Sequence, residues 1–180
     1  ILGRTRDDAA GEAYDKVARV LDLKYPGGPN VEKLALLGQP TYKLPIPMQD
    51  ETLNMSFSGL KSSIINLAHN EKQKGNEINK PNLASSFQTV AIDELKRKVE
   101  LAFKKTKVSE MIIAGGVSAN QYLRQVMQEL CTEYNVKLNV PKLLYCTDNA
   151  AMIGAAAYPL YKKKKFAKFD LNASIQERLY

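Results

Sequence analysis

The apolar positions near the start of the chain recur at helical spacing. Between residues 9 and 21 they predict an amphipathic helix. Asp7 and Asp8 stand where a helix cap and a first turn favour acidic side chains. The turn "YPGGP" (Tyr25–Pro29) ends this helix, because its prolines forbid continuation and its glycines have free torsions. A short helix is then predicted over residues 30–37.

The middle of the chain changes pattern twice. Residues 39–58 begin with a proline-rich part that has no helical period, so we expect an extended excursion there. "SFSGLK" (56–61) predicts a short strand that enters a helix, with Ser58 as the N-cap. After a polar surface loop at residues 70–80, a long helix is predicted from about Pro81 to Thr106. Its apolar stripe consists of Leu83, Phe87, Val90, Ala91, Leu95, Val99 and Phe103.

The last part of the chain alternates between strands and helices. "EMIIAGG" (110–116) predicts a short buried strand that ends in glycines, and a helix capped by Ser118 or Asn120 follows it. "VKLNVP" (136–141) predicts another strand, and "CTDNAAMIGAAAYPLYKK" predicts a closing helix. This order predicts an α/β protein whose sheet has parallel members.

Charge and cysteine content narrow the class of protein. The formal net charge of +7 suits a polyanionic partner such as a nucleic acid. The clearest basic run is Lys162–Lys165 followed by Lys168, although lysines at a helix C-terminus are also stabilised by the helix dipole.

Cys131 and Cys146 form no CxxC pair and are interpreted as reduced thiols of a cytoplasmic protein. No apolar run approaches a membrane span. Because nothing resembling a start segment precedes Ile1, we expect a piece of a longer protein.

Two glycine turns are candidates for ligand binding. "AGGVSAN" (114–120) leads from a strand to a helix N-terminus, where free amides favour an anion or a nucleotide; tight packing is the alternative interpretation. It matches neither GxGxxG nor a P-loop. Asp15 is placed to face the turn that contains Gly28, where a carboxylate can hold a pair of ribose hydroxyls. The alternative is a surface ion pair between Asp15 and Arg19.

The remaining polar motifs restrict the chemistry. "SFSGLK" offers another ligand turn, but without a histidine base we assign no serine nucleophile. His69 is the single histidine, and a complete transition-metal site within the chain is therefore not expected. Asp148 stands before an apolar helix rich in small residues. It is either a helix cap or one ligand of a metal whose other ligands come from elsewhere.

Six motifs, taken in order and approximate spacing, resemble one protein family: "DDAAGEAYDKVARVL", "YPGGP", "FSGLK", "SSFQ", "IAGGVSANQYLR" and "CTDNAAMIGAA". The family is the tRNA N6-adenosine threonylcarbamoyltransferases, formerly named O-sialoglycoprotein endopeptidases or glycoproteases, and the wording is that of a bacterial member. The resemblance spans nearly the whole chain. It implies one lobe of an actin/sugar-kinase/Hsp70-like (ribonuclease H-like) fold, with a mixed sheet flanked by helices. Residues 1–180 would be the C-terminal lobe, with 162–180 a basic tail and the N-terminal lobe absent.

The resemblance also implies roles for individual residues. Asp148 matches the family's metal-binding aspartate, whose histidine partners, spaced HxxxH, would lie on the absent lobe. No catalytic residue is assigned beyond this ligand. Glu32 matches a ribose-side position in some members only. The full set implied to bind the adenylate or threonylcarbamoyl ligand is Asp15, Gly28, Glu32, Gly115, Gly116 and Asn120, with the two neighbouring glycines lining the phosphates.

The implied reaction transfers a threonylcarbamoyl group from threonylcarbamoyl-AMP to N6 of the adenine 3′ of the anticodon, in tRNAs reading codons that begin with A. The implied cofactor is one divalent metal per full-length subunit, iron or alternatively zinc, with threonylcarbamoyl-AMP, ATP or AMP in the cleft. The implied partners are tRNA, a catalytically inactive paralogue, a small P-loop ATPase and threonylcarbamoyl-AMP synthase. No association with a membrane is implied. We expect the chain alone to be inactive.

Two other functions remain open on the sequence. An ATP-dependent small-molecule kinase of the same superfold is one, because fold does not fix function. A non-catalytic scaffold paralogue is the other, although it would not need the ligand residues named above. The sequence contains no HExxH motif and no catalytic triad that would support the old protease name.

Overall fold

The computed structural model describes residues 1–172, which divide into a first unit, Ile1–Cys146, and a second unit that begins at Thr147. The helices of the first unit are α1 (Ala10–Val20), α2 (Gly27–Ala35), α3 (Ser58–Gln73), α4 (Lys80–Lys105) and α5 (Gln121–Glu133). Its strands are β1 (Glu110–Ile112) and β2 (Lys137–Asn139), and short 3₁₀ turns cover Gly116–Ala119 and Leu143–Tyr145. The second unit contains α6 (Ala150–Lys162).

Helix α4 joins the two apolar clusters of the first unit. Its N-terminal half packs with α1, α2 and α3, and the ring of Tyr14 meets Phe87 edge-on at 4.9 Å between centroids. Its middle packs against α5, where Ile92 and Met127 are buried. The predicted long helix is therefore confirmed within a residue at each end. One continuous helix can span both clusters because its apolar stripe persists along its length.

Strands β1 and β2 pair in parallel, with Met111 opposite Leu138. This confirms the predicted α/β organisation with a parallel sheet. The prediction that the first strand is buried is wrong, because Glu110 and Ile112 are exposed and only Met111 turns toward the cluster beneath α5. Alternate side chains of a strand point to opposite faces, and only one face is covered in the first unit.

Two predicted helix caps are also wrong. The N-cap of α1 is Ala9, without a side-chain hydrogen bond, and Ser58 is the first residue of α3 rather than its cap. Asp7 instead accepts hydrogen bonds from the backbone amides of Phe57 at 2.8 Å and Ser58 at 3.2 Å. The hydroxyls of Ser56 and Ser58 also donate to it. No strand forms at "SFSGLK"; a single parallel bridge joins Met55 to Thr5 just before it.

Asp7 should therefore make the stability of the chain depend on pH in acid. Burial raises the pKa of its carboxyl, but the hydrogen bonds from Ser56, Ser58 and the Phe57 amide outweigh burial and lower the pKa from 3.8 to about 2. A depressed folded-state pKa adds stability above pH 3.8 that is lost as pH falls toward 2. Asp7→Ala should lower the free energy of unfolding by about 1 kcal/mol at neutral pH.

Urea denaturation at pH 7 and at pH 3 measures this difference. Asp7→Asn is the matched variant, because its amide oxygen still accepts from the α3 amides without a titrating proton. A stability gap between wild type and Asp7→Asn that is equal at both pH values would contradict the assigned role.

Residues 39–54 contain no helix or strand and are held against α4 by an ionic anchor, which we define as Glu94, Arg97 and Lys98. The Lys98 ammonium, 3% exposed, donates to Asp50 Oδ1 at 3.0 Å and to the carbonyl of Thr52 at 2.7 Å. Arg97 donates to the carbonyls of Pro47 and Met48 and to Glu94, whose pKa is raised by burial. The ionic anchor thus attaches residues 47–52 of the extended excursion to α4.

The second unit begins with the closing helix predicted from the sequence. Asn149 is the N-cap of α6, and its side-chain oxygen accepts from the Met152 amide at 3.0 Å. The interpretation of Asp148 as the helix cap is therefore wrong. Residues 163–172 form neither helix nor strand, and the rest of the predicted basic tail, 173–180, lies outside the described residues. Among the helices of residues 1–172, none combines the length and apolar character needed to cross a membrane.

Candidate ligand-binding site

Asp15 faces the glycine turn, as one of the two sequence interpretations predicts. Its Oδ1 accepts a hydrogen bond from the Gly27 amide at 2.8 Å, which ties α1 to the start of α2. The alternative ion pair with Arg19 is not among the ion pairs of residues 1–172. Within the same residues, Oδ2 of Asp15 has no hydrogen-bond donor. This half-buried carboxylate therefore has one oxygen fixed by the fold and one oxygen available to a ligand hydroxyl.

The two glycines of "YPGGP" have different surroundings. A Cβ on Gly27 would lie 2.6 Å from Asp15 Cα and 2.8 Å from Ala18 Cβ, so this glycine permits the close approach of α1 and α2. A Cβ on Gly28 would meet nothing within 4 Å. Gly28 thus lines open space beside Asp15, while Gly27 is a packing residue. The motif gave no signal that separates them, and sequence reasoning missed Gly27.

Glu32 connects α2 to the helix that carries Asn120. Its Oε1 accepts a hydrogen bond from the backbone amide of Gln121, the first residue of α5, at 2.6 Å. A carboxylate at a helix N-terminus is stabilised by the free amides and the helix dipole. Burial, with the charge of Glu32 beside it, raises the pKa of Tyr14, whose hydroxyl has no hydrogen-bond partner among the described residues.

Asn120, not Ser118, caps α5. Its Oδ1 accepts from the Leu123 amide at 2.8 Å, and its Nδ2 donates to Oε1 of Gln88 at 2.8 Å. Both side chains are buried, which fixes the Asn120 amide in one orientation. Sequence reasoning quoted "SSFQ" but missed the role of Gln88; the available signal was a polar residue beside the apolar stripe of α4. Ser118 instead donates to the Gly115 carbonyl at 2.6 Å.

The glycine pair before α5 is exposed and open. Gly115 has φ of 85°, a left-handed conformation that disfavours any side chain, and Gly116 begins the 3₁₀ turn. An added Cβ on either residue would meet nothing within 4 Å. The turn therefore leaves space for a ligand to approach its backbone, which the tight-packing alternative does not predict.

Hydrogen bonds and helix α2 thus link four of the predicted ligand residues of the first unit: Asp15, Gly28, Glu32 and Asn120. Asp15 binds the turn that contains Gly28, and Glu32, one turn further along α2, binds the residue next to Asn120. Asp148 belongs to the second unit, where its carboxylate is exposed and without a hydrogen bond or ion pair from any described residue.

The described residues do not form a complete metal centre. Across residues 1–172, no group of three or more His, Cys, Asp or Glu side chains is arranged to hold a metal ion. The free carboxylate of Asp148 has the chemistry of one oxygen ligand, but tetrahedral or octahedral sites need several.

The two glycines of the turn provide a matched pair of variants. Gly27→Ala should lower the free energy of unfolding by about 1–3 kcal/mol, because the new methyl overlaps Asp15 and Ala18. Gly28→Ala should leave stability unchanged or slightly raised, because alanine favours helix and the site is open. The resemblance implies that AMP binds beside Gly28, and there the methyl should weaken AMP binding about tenfold. Thermal denaturation and calorimetric AMP titration measure these effects, and equal behaviour of the two variants would contradict the assignment.

Comparisons with known proteins agree on one family. A sequence model of the tRNA N6-adenosine threonylcarbamoyltransferase family matches residues 1–155. The chain is 52% identical to the protein of that name from Staphylococcus haemolyticus over 173 residues, 96% of this chain and 51% of the relative. It is 53% identical to that from Mycoplasma capricolum subsp. capricolum over 160 residues, 88% of this chain and 50% of the relative. The chain therefore spans about half the length of the curated relatives it matches.

Proposed function

Because the chain belongs to the tRNA N6-adenosine threonylcarbamoyltransferase family, we propose that it provides the adenylate-binding surface of such an enzyme. The proposed reaction moves the threonylcarbamoyl group from threonylcarbamoyl-AMP to N6 of the adenine 3′ of the anticodon, in tRNAs reading codons that begin with A. The observation that supports it most is the hydrogen-bonded path from Asp15 through α2 to Gln121. That path links Asp15, the turn that contains Gly28, Glu32 and the residue next to Asn120.

Each residue has a role in holding and orienting the adenylate. The free Oδ2 of Asp15 accepts a ligand hydroxyl beside the open backbone at Gly28. Gly115 and Gly116 let the phosphate approach the turn before α5, where the backbone amides and helix dipole favour negative charge. Asn120 retains one amide hydrogen for the ligand, since the other is donated to Gln88. Glu32 accepts from the Gln121 amide through one carboxylate oxygen, and its other oxygen can accept from the ribose of the ligand.

Orientation is the main contribution of these residues to the rate. Holding the threonylcarbamoyl carbon where the adenine N6 can attack removes the entropic cost of bringing two substrates together. The bond formed joins that carbon to N6, which releases one proton to solvent. The bond broken is that between the same carbon and the phosphate oxygen, so AMP leaves with its phosphate near the glycine turn. Asp148 is proposed as one ligand of a divalent metal, iron or zinc, that polarises the carbamoyl group when bound.

The wider setting is proposed on the family's properties. We place the chain as the C-terminal lobe of an actin/sugar-kinase/Hsp70-like fold with a mixed sheet, working in the cytoplasm with an inactive paralogue, a small P-loop ATPase and the threonylcarbamoyl-AMP synthase. The exposed outer face of β1 is consistent with a larger sheet in the longer protein, because Ile112 is 75% exposed.

A chimera tests the proposal. The chain replaces the matching half of the Staphylococcus haemolyticus relative, and the product is incubated with threonylcarbamoyl-AMP and tRNA. Mass spectrometry of the digested tRNA should then show threonylcarbamoyladenosine, while the chain alone should give none. ATP turnover with sugar or acetate in the absence of tRNA would favour a kinase instead. A folded chimera with its metal but without transfer would favour a scaffold paralogue.

A further inference from the structure

The end of α6 and the residues after it concentrate positive charge. Five lysines lie within residues 162–168, whereas Asp148 and Asp170 are the only acidic residues between 147 and 172. All five are exposed, and none forms an ion pair with a described residue. Lys162 is in the last turn of α6 and Lys163 is its C-cap, but the other three lie beyond the helix. The helix dipole acts within the last turn, so it does not account for them.

Aromatic rings are interleaved with these lysines. Tyr158, Tyr161, Phe166 and Phe169 are each more than half exposed. The Lys162 ammonium lies 5.6 Å from the centre of the Tyr158 ring, and the rings of Tyr161 and Phe166 meet edge-on at 6.2 Å. Exposed rings beside unpaired cations are suited to a ligand that offers both negative charge and flat apolar faces.

We infer that residues 158–169, which we call the lysine–aromatic segment, bind RNA by pairing lysines with phosphates and stacking rings on unpaired bases. The inference rests on the proposed function, since it takes tRNA as the RNA. An anionic membrane surface would instead require a helix with a basic face and an apolar face. Here three of the five lysines follow the end of the helix, so they do not lie on one helical face. This arrangement favours contacts with successive phosphates of an RNA backbone.

The test measures binding of the 180-residue chain to a tRNA that reads codons beginning with A. Fluorescence anisotropy at several KCl concentrations gives Kd and its salt dependence. Replacing Lys163, Lys164, Lys165 and Lys168 together by glutamine should weaken binding at least about tenfold. It should also reduce the slope of log K against log salt by roughly 3, because each lost phosphate contact removes nearly one unit.

A control variant removes the same charge from the first unit. Glutamine replaces Lys33, Lys43, Lys72 and Lys107, which are exposed and without ion pairs among the described residues. It should lower affinity much less. Equal loss in both variants would show that net charge alone drives binding and would overturn the inference. Circular dichroism confirms that both variants fold.

Two further arms separate stacking and membrane binding. The double variant Tyr161→Ser and Phe166→Ser should weaken binding to single-stranded loops about tenfold with an unchanged salt slope, because stacking involves no counterion release. An unchanged Kd would overturn the stacking part. Tighter binding to phosphatidylserine vesicles than to tRNA, lost with the four lysines, would overturn RNA as the partner.

The inference and the proposed function can fail separately. A chimera that transfers the group with the same Kd for tRNA after the four lysines are replaced would refute the segment and keep the function. A chimera that transfers nothing, while tRNA affinity depends on the four lysines, would refute the function and keep the binding surface.

Discussion

Lys98→Met is expected to lower the free energy of unfolding by about 3 kcal/mol. The ammonium is almost fully buried and donates to Asp50 Oδ1, to the Asp50 carbonyl at 3.2 Å and to the Thr52 carbonyl. Methionine fills a similar volume, so the loss comes from the unpaired acceptors and not from a cavity. Removing one partner of a buried charged network typically costs about 3–5 kcal/mol, and the partial exposure of Asp50 places this case at the lower end.

Guanidinium denaturation measures the effect, with Lys104→Met as the matched control on the same helix. Lys104 pairs with Glu100 at the surface, with 57% of its side chain exposed, so its replacement should leave stability nearly unchanged. Limited proteolysis of Lys98→Met should cut near residues 50–52, because Asp50 and Thr52 lose their hydrogen bonds to Lys98. Equal stability of the two methionine variants would show that the ionic anchor does not stabilise the excursion.

Asp148→Asn in the chimera is expected to reduce threonylcarbamoyl transfer at least about 100-fold. The proposed role of this carboxylate is metal ligation, and changes to residues that only support a metal ligand already cost about 10–100-fold. The bound metal, measured by elemental analysis, should fall with activity. Folding should be unaffected, because Asn149 and not Asp148 caps α6.

Asp170→Asn is the control, since it removes the same charge from an exposed position of the second unit. It should retain both metal and transfer. Full metal content in Asp148→Asn, together with transfer equal to that of the unmutated chimera, would show that Asp148 is not a metal ligand.

Local signals in the sequence predicted the elements that depend on local interactions. The stripe on α4, the glycine turn before α5 and the caps at its N-terminus concern residues a few positions apart. Asp15 was predicted to face the glycine turn, and a contact 12 residues away forms there. The family motifs were needed to choose the candidate site, because spacing alone allowed Asp15 either to face the glycine turn or to pair with Arg19.

Contacts between distant residues could not be predicted in the same way. Asp7 reaches Ser58 across 51 residues, and Glu32 reaches Gln121 across 89. In both cases a carboxylate accepts from the free amides of another helix. For Asp7, the local capping rule therefore assigned the acid to the wrong helix. The burial of Lys98 could not be predicted either, because it depends on backbone carbonyls of a distant segment without regular structure.

The most direct test of the central claim, that one connected surface of the first unit binds adenylate, is an AMP titration followed by amide NMR of the isotope-labelled chain. We expect shifts at the amides of Gly28, Gly115, Gly116 and Gln121, with Gly75 unchanged in its separate loop, and we expect those shifts to be lost in Gly28→Ala. Shifts that spare these amides, or that persist unaltered in Gly28→Ala, would contradict it.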